Sequence, residues 1–185
     1  MALGWHQIPN ILTLLRIVLV VPFALCLVDA RYELALLVFL VAGASDGLDG
    51  YLARRFDWRT RFGAIADPLA DKLLLVTAYV MLTLTQVLPA WLLWIVMGRD
   101  VFIVGGALAY HYLIGVYTMQ PSMLGKLNTL VQILFALLVL VHLAGWLSLA
   151  PALVWGAPVV GALAVLSGSH YAWVWGRRAW LTLRR

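Results

Sequence analysis

Charge and sulfur are what this chain has least of. Its 185 residues include eight Asp and Glu, thirteen Lys and Arg, and one cysteine, Cys26. A lone cysteine excludes an internal disulfide, so Cys26 is expected to pack as a small apolar side chain. The four histidines, His6, His111, His142 and His170, lack metal-ligand spacing. With a single thiol they exclude a thiolate or imidazole metal site, and all four are expected to be non-catalytic. Charged residues make up 11% of the chain against 64% hydrophobic, and the mean hydropathy is +0.97. This excludes an ordinary soluble globular domain and points to a polytopic membrane protein. The opening MALGWHQIPN has no Lys or Arg and so does not resemble the basic start of a secretory signal. No internal repeat, polar linker or low-complexity tract is evident, which predicts one domain over residues 1–185.

What is present is apolar sequence in long runs. Six segments reach spanning length, about 20 residues each: roughly 11–28, 33–53, 63–87, 90–113, 122–146 and 152–176. The expected fold is all-α, with six transmembrane helices joined by short connections and a short N-terminal interfacial segment anchored by Trp5. Pro22 is expected to bend the first helix. Arg54, Arg55, Arg59 and Arg61 follow the second segment, and Arg177, Arg178, Arg184 and Arg185 close the chain, whereas the opposite side has only Arg31. The positive-inside rule then places both termini in the cytoplasm, in what is expected to be a bacterial inner membrane. The net charge of +5 fits basic loops against anionic lipid, and no nucleic-acid partner is expected.

Half of the acidic residues, Asp46, Asp49, Asp67 and Asp71, fall inside two otherwise apolar segments. A carboxylate in an apolar span is costly unless paired, hydrated or bound to a metal. Asp46 and Asp49 are three apart and Asp67 and Asp71 four apart, so each pair shares a helix face. Two helices side by side would aim all four into one gap, with Gly43, Gly47, Gly50 and Ala53 removing bulk near it. Carboxylate ligands suit Mg²⁺ or Mn²⁺.

The stretch reads D-x2-D-G-x2-A-R-x8-G-x3-D-x3-D, from Asp46 through Asp49-Gly50, Ala53-Arg54 and Gly63 to Asp67 and Asp71. It resembles the signature of the CDP-alcohol phosphatidyltransferase family at every fixed position. The opening IPNILTLLRI resembles the branches of that family that use glycerophosphate and phosphatidylglycerol. The resemblance implies a six-helix, usually homodimeric membrane fold. It also implies transfer of a phosphatidyl group from a CDP-linked lipid, CDP-diacylglycerol, to an alcohol. By motif position, Asp46, Asp49 and Asp67 would hold metal, with two ions expected, and Asp71 would touch metal and act as base. Gly50, Ala53 and Gly63 would make room for the cytidine diphosphate beside Asp49, and Arg54 would contact it.

The remaining polar residues carry two readings each. Asn10, Thr13 and Arg16 lie three apart on one stripe: either Asn10 caps the helix and Arg16 snorkels, or the stripe faces the site and Arg16 meets phosphate. Asp67-Pro68 is either a helix start or part of the ligand set. Arg99 either pairs with Asp100 or contacts acceptor phosphate, and Lys126 either snorkels or joins it. Asn128, Thr129 and Gln132 are expected to serve helix packing. GRDVFIVGGALAYHY and Lys126-Leu127-Asn128-Thr129 look more like cardiolipin synthases, which favours phosphatidylglycerol as acceptor, with sn-glycerol 3-phosphate as the alternative. An intramembrane prenyltransferase would need about nine spans and a different first motif. A cation transporter would normally show related halves.

Overall fold

The computed structural model describes residues 8–56, 58, 61–114 and 122–183, with side chains also outside the described set at 8–9, 53–54, 61–62, 64–65, 110–111, 113–114 and 178–183. Trp5, His6, Arg59, Arg184 and Arg185 therefore lie outside the described residues, as do the side chains of Ala53, Arg54, Arg61, His111 and Arg178. Among the described residues every regular element is a helix: α1 (Ile8–Val28), α2 (Tyr32–Arg55), α3 (Arg61–Leu84), α4 (Ala90–Ile114), α5 (Met123–Leu143) and α6 (Ala150–Leu183). Lipid offers the backbone no hydrogen-bond partners, so each apolar run must satisfy its own amides as a helix. Five of the six are long and apolar enough to cross a membrane. The exception, α3, is long enough but carries Arg61, Asp67, Asp71 and Lys72 in its first half. The chain is an integral membrane protein.

The helices gather into two compact units. The first comprises α1, α2, α3 and the end of α5, and the second comprises α4, the start of α5 and α6. In the first unit α1 is the centre, since α2 and α3 both pack along it and touch each other little. The seam on α1 is Thr13, Arg16, Val20, Phe23 and Leu27, all buried, while Leu14, Leu15, Val18, Val21 and Leu25 point outward. That spacing of three and four is one face of a helix. Ala35, Leu36, Phe39, Ala42 and Asp49 of α2 meet it, with the Phe23 and Phe39 rings 5.7 Å apart, and α3 contributes Ala66, Ala70, Leu74, Ala78 and Leu82.

Three helix ends of this unit close in the same way. Arg31 N–H donates to the Cys26 carbonyl at 2.8 Å, Val87 N–H to Leu82 at 2.9 Å and Trp146 N–H to Val141 at 3.2 Å. Each closure needs a left-handed residue just past the helix, filled by Ala30 (φ 55°), Gln86 (φ 61°) and Gly145 (φ 75°). In the second unit α4 packs on α6. Glycines permit the close approaches there: a Cβ on Gly161 would lie 2.8 Å from the Trp91 ring, and one on Gly156 would overlap the Phe135 ring. Near the end of α6, Arg177 lies over Trp173, 5.7 Å from its ring centre, as expected of an aromatic belt with a basic anchor.

Candidate functional site

In the first unit α2 and α3 supply the four aspartates and α1 supplies what they gather around. Arg16 is wholly buried. Its Nη2 donates to Asp49 Oδ2 at 2.7 Å, and its Nη1 contacts Asp71 Oδ1 at 2.5 Å and Asp46 Oδ1 at 3.0 Å. One turn earlier on the same face, Thr13 Oγ1 donates to Asp67 Oδ1 at 2.5 Å. Asp46 and Asp71 share one nitrogen, so their oxygens are close neighbours despite their like charge. Four carboxylates from two helices thus meet on two adjacent polar positions of a third.

This differs from two expectations. The acids converge because α2 and α3 both lie against α1, not because those two helices pack side by side. No helix comes close at Gly43 or Gly47 among the described residues: both are exposed, and a Cβ on either would meet nothing within 4 Å. Asn10 lies inside the first turn of α1, which starts at Ile8, so it does not precede the helix as a cap would. Arg16 points inward to the acids and does not snorkel. Asp67-Pro68 does not start a helix, because α3 already runs from Arg61 and Pro68 sits inside it. Gly50 and Gly63 are helical residues, half-buried and buried, on α2 and α3.

Arg16 offsets one of the four carboxylate charges, and the excess calls for water or further cations. The donors are hard oxygens of the kind Mg²⁺ and Mn²⁺ take. The side chains of Asp46 and Asp71 are each 44% exposed, so an ion can reach them, whereas Asp49 is 2% exposed. Among the described residues no group of three acidic, His or Cys side chains is posed as a ready ligand set. At Asp46, Asp49 and Asp71 one oxygen is turned to Arg16 instead. In donor type and in charge the residues fit a divalent cation.

The second unit has its own polar centre. Arg99 Nη1 donates to Asp100 at 2.8 Å and Nη2 donates to Ser167 Oγ at 2.8 Å. Arg99 and Lys126 line one cavity of about 500 Å³ with Thr129, Tyr171 and the apolar Ile103, Leu130 and Ile133. Tyr171 ties down the start of α5, its hydroxyl accepting the Ser122 N–H at 2.9 Å. Arg99 also borders an apolar groove with Trp94, Gly98, Phe102 and Gly168. Ser167 and Tyr171 were not singled out from the sequence, because their partners lie 68 and 49 residues away. His142 is structural, its Nδ1 accepting the Leu149 N–H at 3.1 Å.

Residues 6–165 match the family model described as CDP-alcohol phosphatidyltransferase. The chain belongs to that family. The match runs through both units and includes all four aspartates. Among similar proteins, a probable phosphatidylglycerophosphate synthase of Mycobacterium tuberculosis is 35% identical over 171 residues, covering 89% of this chain and 79% of the relative. A CDP-diacylglycerol–glycerol-3-phosphate 3-phosphatidyltransferase of Bacillus subtilis is 30% identical over 152 residues, covering 74% and 77%. A probable cardiolipin synthase (CMP-forming) of Drosophila melanogaster is 35% identical over 142 residues, covering 68% of this chain and 44% of the relative. The chain thus spans less than half the length of the cardiolipin synthase it matches there.

Proposed function

We propose that this phosphatidyltransferase-family protein transfers a phosphatidyl group from CDP-diacylglycerol to a glycerol-based alcohol and releases CMP. The observation that carries the proposal is the meeting of the four signature aspartates on α1 inside a membrane-spanning unit. Asp46, Asp49, Asp67 and Asp71 hold Mg²⁺ or Mn²⁺, two ions in all. When bound, these ions supply positive charge to the diphosphate and to the leaving CMP. Asp71 is the base, and its partial exposure lets an acceptor hydroxyl approach. As the acceptor oxygen bonds to the lipid-side phosphorus, its proton passes to the Asp71 carboxylate. The bond from that phosphorus to the CMP oxygen breaks, and CMP leaves with the electron pair. Asp49, Gly50, Ala53, Arg54 and Gly63 form the cytidine diphosphate side, and Asn10, Thr13 and Arg16 face the centre from α1.

For the acceptor we favour phosphatidylglycerol, giving cardiolipin, with Arg99 and Lys126 binding its phosphate. The lining of their cavity supports a lipid, because apolar Ile103, Leu130 and Ile133 stand beside the two cations and a second, apolar groove begins at Arg99. A second reading, sn-glycerol 3-phosphate as acceptor, is favoured by the fuller coverage of the glycerophosphate-using relatives. The protein is further proposed to work as a homodimer in a bacterial inner membrane, with both termini and the site toward the cytoplasm. The exposed Arg55 at the end of α2 and the exposed Arg177 in the last third of α6 support that orientation.

Purified protein with CDP-diacylglycerol is to be assayed with each acceptor in turn. CMP release that stops with EDTA and resumes with Mg²⁺ or Mn²⁺ is expected, with cardiolipin identified by mass spectrometry. No CMP with any alcohol defeats the enzyme reading, and phosphatidylglycerophosphate as sole product defeats the cardiolipin assignment. Ion flux in proteoliposomes, unaffected by CDP-diacylglycerol, would favour a transporter.

A further inference from the structure

We propose that Arg16 is a built-in counter-cation. It holds Asp46, Asp49 and Asp71 together in the metal-free protein and competes with the divalent ion for their oxygens. The inference rests on the metal-site reading above and adds to it a positioning residue whose charge sets how tightly the ion binds.

Arg16 has no exposed surface, and both of its terminal nitrogens are committed to carboxylates. Its Nε has no hydrogen-bond partner among the described residues. The guanidinium is therefore placed by the acids and by little else. Both terminal nitrogens of this arginine already contact carboxylates before any acceptor phosphate arrives. It is also the charge that lets the acids stay together inside an apolar unit. Three carboxylates brought within reach of one another repel, and in a partly buried site that repulsion is poorly screened. A shared guanidinium offsets it. A divalent ion among the same oxygens meets that positive charge as a neighbour. Removing the charge should then tighten ion binding while loosening the empty cluster, two effects of opposite sign that a purely structural arginine would not produce.

The test uses the full chain purified in detergent, with Mn²⁺ alone as the probe. Binding is read from the loss of the free Mn²⁺ spin-resonance signal, and thermal midpoints are taken in EDTA and in Mn²⁺. Arg16→Gln should bind Mn²⁺ at least about tenfold more tightly than wild type. It should melt earlier in EDTA and gain more from Mn²⁺ than wild type does. Arg16→Lys keeps one charge on one nitrogen that cannot serve both sides of the cluster, so its affinity should rise by about threefold, less than in the glutamine variant. Thr13→Val, which removes a neutral donor from Asp67, should not raise Mn²⁺ affinity. Unchanged or weaker Mn²⁺ binding in the Arg16 variants overturns the inference, and the lysine variant alone decides it if the glutamine variant does not fold. An equal rise in Thr13→Val overturns it too, because charge would not be the cause. Mn²⁺ bound by neither wild type nor any variant sinks the metal-site reading itself.

Discussion

Asp46 and Asp49 lie one turn apart on α2 and both contact Arg16, yet losing their charges should have unequal effects on stability. The Asp49 side chain is 2% exposed and lies 2.7 Å from Nη2, which among the described residues pairs with no second carboxylate. The Asp46 side chain is 44% exposed and shares Nη1 with Asp71. Removing one partner of a fully isolated buried pair costs about 3–5 kcal/mol. Arg16 keeps two other carboxylates in Asp49→Asn, so the loss falls toward that of one hydrogen bond to a charged group, about 1.5–3 kcal/mol. Asp46→Asn loses a screened contact of about 1 kcal/mol or less, and it also relieves repulsion from Asp71. For a chain of this size each kcal/mol moves the midpoint by about 2–4 °C. Asp49→Asn should therefore melt about 3–12 °C below wild type, and Asp46→Asn within about 4 °C of it. The assay is thermal unfolding of purified protein in EDTA, so that no ion contributes. A drop in Asp46→Asn equal to that in Asp49→Asn would refute the reasoning, since it would mean that burial does not set the strength of these pairs.

Three further outcomes are expected. Asp71→Asn should abolish CMP release and keep much of the CDP-diacylglycerol binding, measured by equilibrium binding, since it removes the proposed base and only part of the site's negative charge; near-wild-type turnover would take Asp71 out of that role. Ala30→Gly and Gln86→Gly should each stabilise by up to about 1 kcal/mol, because both positions hold a left-handed backbone that costs a side chain roughly that much; thermal midpoints check this. Gly161→Val should destabilise by about 1–3 kcal/mol, because its side chain would drive into Trp91. Gly43→Ala, open on all sides, should be neutral or stabilising by up to about 1 kcal/mol, and the two midpoints together test where glycine is needed for packing.

The helices were legible in the sequence because lipid leaves an apolar run little choice of structure, and most ends fall within three residues of expectation. The last helix is the exception. It continues to Leu183, since Arg177 to Leu183 contains no glycine or proline to stop it. The acid cluster was legible too, since charge is rare in the chain and these four residues repeat at helical spacing. Its partner was harder to read. Thr13 and Arg16 keep the same register as Val20, Phe23 and Leu27, which is the seam α1 buries. Yet beyond Arg16 α1 is apolar on every side, so its inner and outer faces differ little in hydrophobicity. Without that contrast, the sequence left Arg16 equally suited to snorkelling and to facing the site. Nor could local spacing say that α2 and α3 would each choose α1 over each other, because that depends on which shapes interlock.

The counter-charge on α1 also explains how one sequence can satisfy two demands that pull in opposite directions. On the proposed reading, the site needs surplus negative charge to take up a divalent ion, which in turn draws the diphosphate. A membrane helix bundle must survive before either arrives, when the same surplus works against folding. Neutral hydrogen-bond donors such as Thr13 can fix a carboxylate's orientation but cannot cancel its charge. A lysine would concentrate its charge on one atom, while a guanidinium spreads it over three nitrogens, and its two terminal ones reach both helices, Nη2 meeting Asp49 of α2 and Nη1 meeting Asp71 of α3 as well as Asp46 of α2. Arg16 therefore ties α2 and α3 to α1 at the one level where apolar packing gives way to acids. It cancels one charge and leaves the rest. A fully neutralised cluster would hold the bundle together and have no reason to take up a metal, while a cluster without Arg16 would attract the ion and have difficulty assembling in its absence.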